Sequence, residues 1–361
     1  MLTWAGSDHP VNDAERAIAI LNPIFTAHPD HPGVAHYIIH AADRPQLAQE
    51  GLAAAKQYAK IAPAAPHALH MPSHIFARLG LWREDIQSNL ASLHAAQNPD
   101  GHVGAEHQLH AMEFLEYAYL QIGEVGKAQQ MVAAQTNITY VQVDPNLHDY
   151  VNRTWANSPA LLALETRDWK SAEALKPDAS VEPYNQAITY WAKAVAAGHL
   201  HDVAKVQHAV DQYEALMQAT ERGAKPIVAE YMTTRRDEAR AWLLFAQSKG
   251  ADGAALLKKL ADKQDVEGKG EVEIPAREML ADMLLEMNRP ADALHEYQKS
   301  MRVDPNRFNG LYGAARAAEL LRDVEKEQSY YRQLVSNCDA AIEPRPELLH
   351  ARQILKVTCT N

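Results

Sequence analysis

The N-terminal third of the chain carries two His-x-x-x-His pairs, His36/His40 and His70/His74, offset by 34 residues. An interval of that size is the length of a two-helix repeat unit, so the pairs hold equivalent places on successive repeats. On a helix, spacing of i, i+4 and i+7 gathers side chains within roughly 60°. His36, His40 and Asp43 have that spacing. His67, His70 and His74 follow at i, i+3 and i+7, with Arg78 one turn further. Glu106, His110 and Glu113 repeat the pattern, and Tyr117 and Gln121 continue it. Twelve of the 18 histidines lie at or before His110, a skew that implies a local task.

Imidazole nitrogen with carboxylate oxygen is a donor set for Zn²⁺, Fe²⁺, Mn²⁺ or Ni²⁺, and no thiol lies near enough to make a cysteine-based structural zinc site. Three ligands from one helix rarely reach one ion. A shared ion is therefore better served by His36 or His40 together with His70, His74 and His110. Asp43 and Glu113 then act as further ligand, as orienting group or as the carboxylate that moves protons. The chemistry expected of such a centre is metal-dependent hydrolysis, with an iron oxygenase using the same ligands. The competing reading is a groove that grips a small molecule or a peptide, with His67, Arg78, Tyr117 and Gln121 as contacts and the arginine suited to a carboxylate terminus. Both readings stay open at this level.

The elements that carry these residues are helical. The chain is rich in Ala, Leu, Glu and Gln, holds only 16 Gly and 5 Phe, and lacks the alternating β-branched runs of strands. Apolar spacing predicts hairpins over 33–61, 66–96, 105–134, 153–175, 183–220, 227–260, 274–303 and 309–335, with Gly or Asn breaking each first helix. Pro72 inside the second unit predicts a kink among His67, His70 and His74. A polar loop is expected over Asp262–Glu273. Glu278, Asp282 and Glu286 read as a solvated face, and the tryptophans as packing. Three regions follow: 1–145 with the histidines, 146–262, and 263–361.

Several segments resemble tetratricopeptide repeats. EMLADMLLEMNRPADALHEYQKSMRVDP (Glu278–Pro305) has Ala293 at the helix crossing, Tyr297 behind it and Pro305 as terminator, and HAMEFLEYAYLQIGEVGKAQQ (His110–Gln130) has Gly123 at the turn and Ala128 at the crossing. PDHPGVAHYIIHAAD, AKIAPAAPHALHMPSHIFARLGLW and PNRFNGLYGAARAAE extend the likeness to a bacterial tetratricopeptide-repeat family of no established activity, from about Asp13 to about Leu349. The resemblance implies an all-α, right-handed solenoid of helical hairpins whose first-helix stripes line a concave groove.

With 46 acidic and 35 basic side chains, a formal charge of -11, and no basic run, the chain is not expected to bind nucleic acid. No apolar stretch is long enough to span a membrane and Met1–Pro10 has no leader character, so a soluble, cytoplasmic protein is expected from the chain as written. A longer native N-terminus would leave a periplasmic location open. Two cysteines, Cys338 and Cys359, are too few for a disulfide framework. The C-terminal hairpins are left as groove walls or as an oligomer contact.

Overall fold

The computed structural model describes residues 11–97, 105–138, 147–220, 226–270 and 272–356. Among them lie nineteen helices and no strand. The order is α1 (Val11–Ala27), then the pairs α2 (Pro32–Ala42) with α3 (Ala48–Ile61), α4 (Pro66–His70) and α5 (Pro72–Arg78) with α6 (Trp82–Ala96), and α7 (Ala105–Gln121) with α8 (Val125–Gln135). Then come α9 (His148–Glu165) with α10 (Trp169–Ala174), α11 (Pro183–His199) with α12 (Val203–Thr220), and α13 (Pro226–Ala246) with α14 (Gly250–Glu267). The last are α15 (Ala276–Glu286) with α16 (Pro290–Val303), α17 (Phe308–Leu320) with α18 (Val324–Asn337), and α19 (Pro346–Ile354). Each pair packs on the next, which makes an all-α solenoid of helical hairpins.

Seven of the hairpins share one turn. A residue with φ between 55° and 76° ends the first helix: Gly80, Gly123, Arg167, His201, Ser248, Asn288 or Arg322. The next residue's N–H reaches back five positions, as from Leu81 to Phe76 or Asp323 to Ala318, at 2.8 to 2.9 Å. This closure satisfies carbonyls that the helix end leaves open. Glycine or asparagine was expected at each break, yet Arg167, His201, Ser248 and Arg322 hold the left-handed conformation in four of them. A side chain there costs about 1 kcal/mol. Arg322 is exposed, so Arg322→Gly is expected to raise stability by about 0.5–1 kcal/mol, less what the more flexible unfolded chain regains. The urea midpoint reads it.

Small residues let the paired helices approach. Ala128 and Ala293 are fully buried at their crossings, as is Tyr297 behind the latter. Gly313 is closer still, since a Cβ there would stand 2.2 Å from the Tyr297 ring. The core runs in clusters along the stack, the largest extending from Ala160 on α9 to Ala318 on α17.

The chain curls until its C-terminal hairpins meet the second and third. Trp82 Nε1 donates to the Asn306 carbonyl at 2.8 Å and Asn306 Nδ2 donates to the Gly80 carbonyl at 3.2 Å. Phe308 N donates to Gln121 Oε1 at 3.1 Å. At the centre of the contact, Arg307 is bound by Glu278 at 2.9 and 3.0 Å, Glu165 at 2.7 Å and the Tyr117 hydroxyl.

This curl overturns two sequence-level expectations. Glu278 and Asp282 are not solvated: Glu278 is buried against Arg307 and Asp282 pairs with Arg167 and Tyr297, while Glu286 is exposed, beside His199. Glu278 and Asp282 meet arginines from other repeats, which local spacing does not reveal. The loop expected over 262–273 is half helix, because α14 continues to Glu267 and stops at Gly268, φ 91°. Cys338 is buried, and burial pushes its thiol up to about 12. Cys359 and the division placed at 145 lie outside the described residues. No described helix is long and apolar enough to cross a membrane.

Candidate metal centre

Four neighbouring helices, α2, α4, α5 and α7, present the histidines, and their rings gather into two groups rather than one. In each group one nitrogen per ring lies within 4.8 Å of the others: His36, His40 and His67 in the first, His70, His74 and His110 in the second. The kink expected at Pro72 is present, with Met71 between α4 and α5. The His74 ring meets His70, Nε2 to Nε2 at 3.0 Å. His67 completes the first group at 3.2 Å from His36.

The second group is held from behind. Asn89 Nδ2 donates to Asp85, so its Oδ1 faces His70 Nδ1 at 2.7 Å and takes the ring proton. Asp43 Oδ2 lies 3.1 Å from His74 Nδ1. The Tyr150 hydroxyl donates to Glu113 and accepts from His110 Nδ1 at 3.1 Å. Each Nδ1 therefore carries the proton in the neutral ring, and each Nε2 is left as a lone pair. Two such nitrogens 3.0 Å apart, as at His70 and His74, repel unless a cation or a proton lies between them. Metal-binding histidines are commonly oriented through their second nitrogen in this way.

Asp43 reaches this position by leaving the helix. It caps α2 with ψ at 61°, off the His36/His40 stripe on which helical spacing would keep it, and binds His74 and Arg78 instead. Asn89, Asp85 and Tyr150 were not among the sequence candidates. Asp85, Asn89 and Ser92 stand at i, i+4 and i+7 on α6 and are buried, so a polar stripe on a packed face was the available signal. Nothing local marks Tyr150, which comes from 40 residues beyond His110.

Electrostatics keep several rings uncharged. Burial, reinforced by His40 and His74, lowers His36 from 6.5 to about 4. His67 is exposed at its surface, yet the protein packed around its ring, then His36 and His107, lowers it to about 4. Burial first, then His110 and His74, puts His70 well below its ordinary range. Glu113 is held below the usual carboxylate value because Arg153, His110 and Tyr150 outweigh its burial. Since the unfolded chain protonates these histidines first, metal-free stability is full above pH 6.5 and is lost as pH falls toward 4. Urea midpoints at pH 7 and 4.5 are expected to differ in that direction, and His67→Gln is expected to narrow the difference.

The contacts proposed for a bound peptide are occupied from within. Arg78 Nε binds Asp43 at 3.0 Å and Nη1 binds the Lys269 carbonyl at 2.8 Å. Tyr117 donates to the Glu273 carbonyl at 2.8 Å, and Gln121 holds Phe308. All three side chains are buried, because the segment after α14 and the curled C-terminal hairpins lie over α7. The groove expected along Tyr117 and Gln121 is thus filled by the chain itself. Beside it remains a cavity of about 840 Å³ whose walls include Arg44, Asp149, Arg153, Tyr184, Tyr231 and Lys269.

No protein-family model matches the chain, and no curated protein matches it. Among solved structures it is similar to the P58(IPK) TPR domain, at 11% identity and a TM-score of 0.28 over 97% of this chain and 95% of that one. It is also similar to yeast Tom70, at 12% identity and a TM-score of 0.35 over 96% of this chain and 66% of that one. A third likeness, to Naa15/Naa10 bound to HypK-THB, has 13% identity and a TM-score of 0.25 over 94% of this chain and 63% of that one. None of these likenesses bears on function.

Proposed function

We propose that this protein is a helical-repeat metalloprotein that holds a divalent ion of the zinc class at His70, His74 and His110. One observation carries the reading: one nitrogen of each of His70, His74 and His110 lies within 4.8 Å of the others, and each ring is tied at Nδ1 to an acceptor. A nitrogen-only set favours Zn²⁺, Fe²⁺ or Ni²⁺ over Mg²⁺ and Ca²⁺. Three imidazoles leave a coordination position for water or a substrate oxygen, the arrangement that supports metal-assisted hydrolysis. Asp43 and Glu113 are assigned as positioning residues, since each stands behind a ring, Glu113 through Tyr150. The test is zinc uptake by untagged, metal-stripped protein. At a hundredfold excess over Kd, one bound ion adds about 2.7 kcal/mol to stability. A thermal midpoint unmoved by Zn²⁺, with no metal retained on dialysis, would sink the proposal.

A second reading is favoured by the hairpin solenoid and by the 840 Å³ cavity: a scaffold that binds a protein or peptide. Because Arg78, Tyr117 and Gln121 already serve the chain's own segments, an incoming peptide displaces Lys269, Glu273 and Phe308 from them or uses another surface. That reading requires saturable binding of a partner which a chelator leaves unchanged.

A further inference from the structure

The first histidine group poses a separate problem. His67 and His70 lie one turn apart on α4, yet His67 meets His36 on α2 while His70 meets His74 on α5 and His110 on α7. Nε2 of His36 stands 3.0 Å from Nε2 of His40 and 3.2 Å from Nε2 of His67. A ring nitrogen carries either one proton or one lone pair. It can therefore make one well-aligned hydrogen bond, and the second contact is left poorly aligned. A cation among the three takes all the lone pairs together. Nitrogens held at about 2.0–2.1 Å around a tetrahedral ion stand about 3.3 Å apart, close to the separations found. Aromatic neighbours restrain the central ring: Tyr58 stacks on His36 at 5.6 Å and 11°, and Tyr37 at 5.6 Å and 25°.

We infer that His36, His40 and His67 form a second metal site, distinct from the buried triad, so that the protein carries two ions. The inference rests on the metal reading above and extends it. The set has three imidazoles and no carboxylate, which suits Zn²⁺, Co²⁺, Ni²⁺ or Cu²⁺ and disfavours Mg²⁺ and Ca²⁺. Since His67 is exposed while His70 is buried, this ion exchanges faster and binds more weakly than the inner one. The i, i+3 relation of His67 and His70 sets the two sites about one helical turn, roughly 5 Å, apart. One substrate molecule can span that distance.

The experiment titrates untagged, metal-stripped protein with Zn²⁺, counts retained metal by elemental analysis, and repeats the titration with Co²⁺ followed by absorbance. The wild type is expected to hold two ions per chain in two affinity steps. His36→Ala/His67→Ala is expected to hold one, losing the weaker step, and His70→Ala/His74→Ala one, losing the tighter. His67→Gln, at an exposed ring, is expected to weaken the outer step by about tenfold or more, with far-ultraviolet circular dichroism unchanged. A single ion that survives His36→Ala/His67→Ala overturns the second site and leaves the buried one standing. A single ion lost only in that variant overturns the buried-triad reading instead. Loss of all metal in both double variants, with helicity intact, means one shared ion and overturns the division.

Discussion

His70→Ala/His74→Ala is expected to lose the tightly held ion altogether. Structural zinc binding is worth about 10–16 kcal/mol and is supplied by the ligand set acting together; removing two of three ligands leaves a single imidazole at His110. Asn89→Ala is expected to act more gently. It keeps all three ligands but removes the oxygen 2.7 Å from His70 Nδ1, which frees the ring to turn and take the other tautomer. Loss of such an orienting group costs about 10–100-fold in metal affinity. Zinc Kd measured against a competing chelator, well below the melting temperature, separates this from the stability lost with the Asn89–Asp85 bonds. An unchanged Kd in Asn89→Ala would show that the bond behind His70 does not orient it for metal.

Arg307→Ala is expected to be the most destabilising single change away from the histidines. The guanidinium side chain is 1% exposed, and Glu165 and Glu278 beside it are 1% and 2% exposed. Without the arginine, two buried carboxylates face each other with no cation between them. Breaking such a cluster from one side costs about 3–5 kcal/mol, far more than an exposed pair. The same residue joins α7, α9, α15 and α17 through Tyr117, Glu165 and Glu278, so the curl of the solenoid is expected to loosen before the hairpins melt. Trp82, whose indole donates to Asn306 next to Arg307, reports that loosening as a fluorescence change ahead of the circular dichroism transition. Arg307→Met with Glu165→Gln and Glu278→Gln removes the unpaired charges and is expected to recover much of the loss. A loss below about 1 kcal/mol in Arg307→Ala would mean that the C-terminal hairpins are held by apolar packing alone.

The sequence by itself determined the helical hairpins, the kink at Pro72 and the set of histidines on one side of adjacent helices. Those features depend on neighbours within one or two turns, where the 3.6-residue period and proline's missing N–H act alone. Only the tertiary structure decided how the rings divide. His74 meets His70, as i, i+4 spacing allows, but that His67 turns to His36 on another helix is a matter of a few ångströms that helical register does not contain. The supports behind the rings come from other helices, 19 residues away for Asn89, 31 for Asp43 and 40 for Tyr150. Closure of the groove is more remote still. Small rotations at each hairpin add along the stack until Arg307 reaches Tyr117, 190 residues earlier. That sum turns Glu278, a solvated residue by local pattern, into a buried one, and it covers Tyr117 and Gln121, which local pattern assigns to an open face.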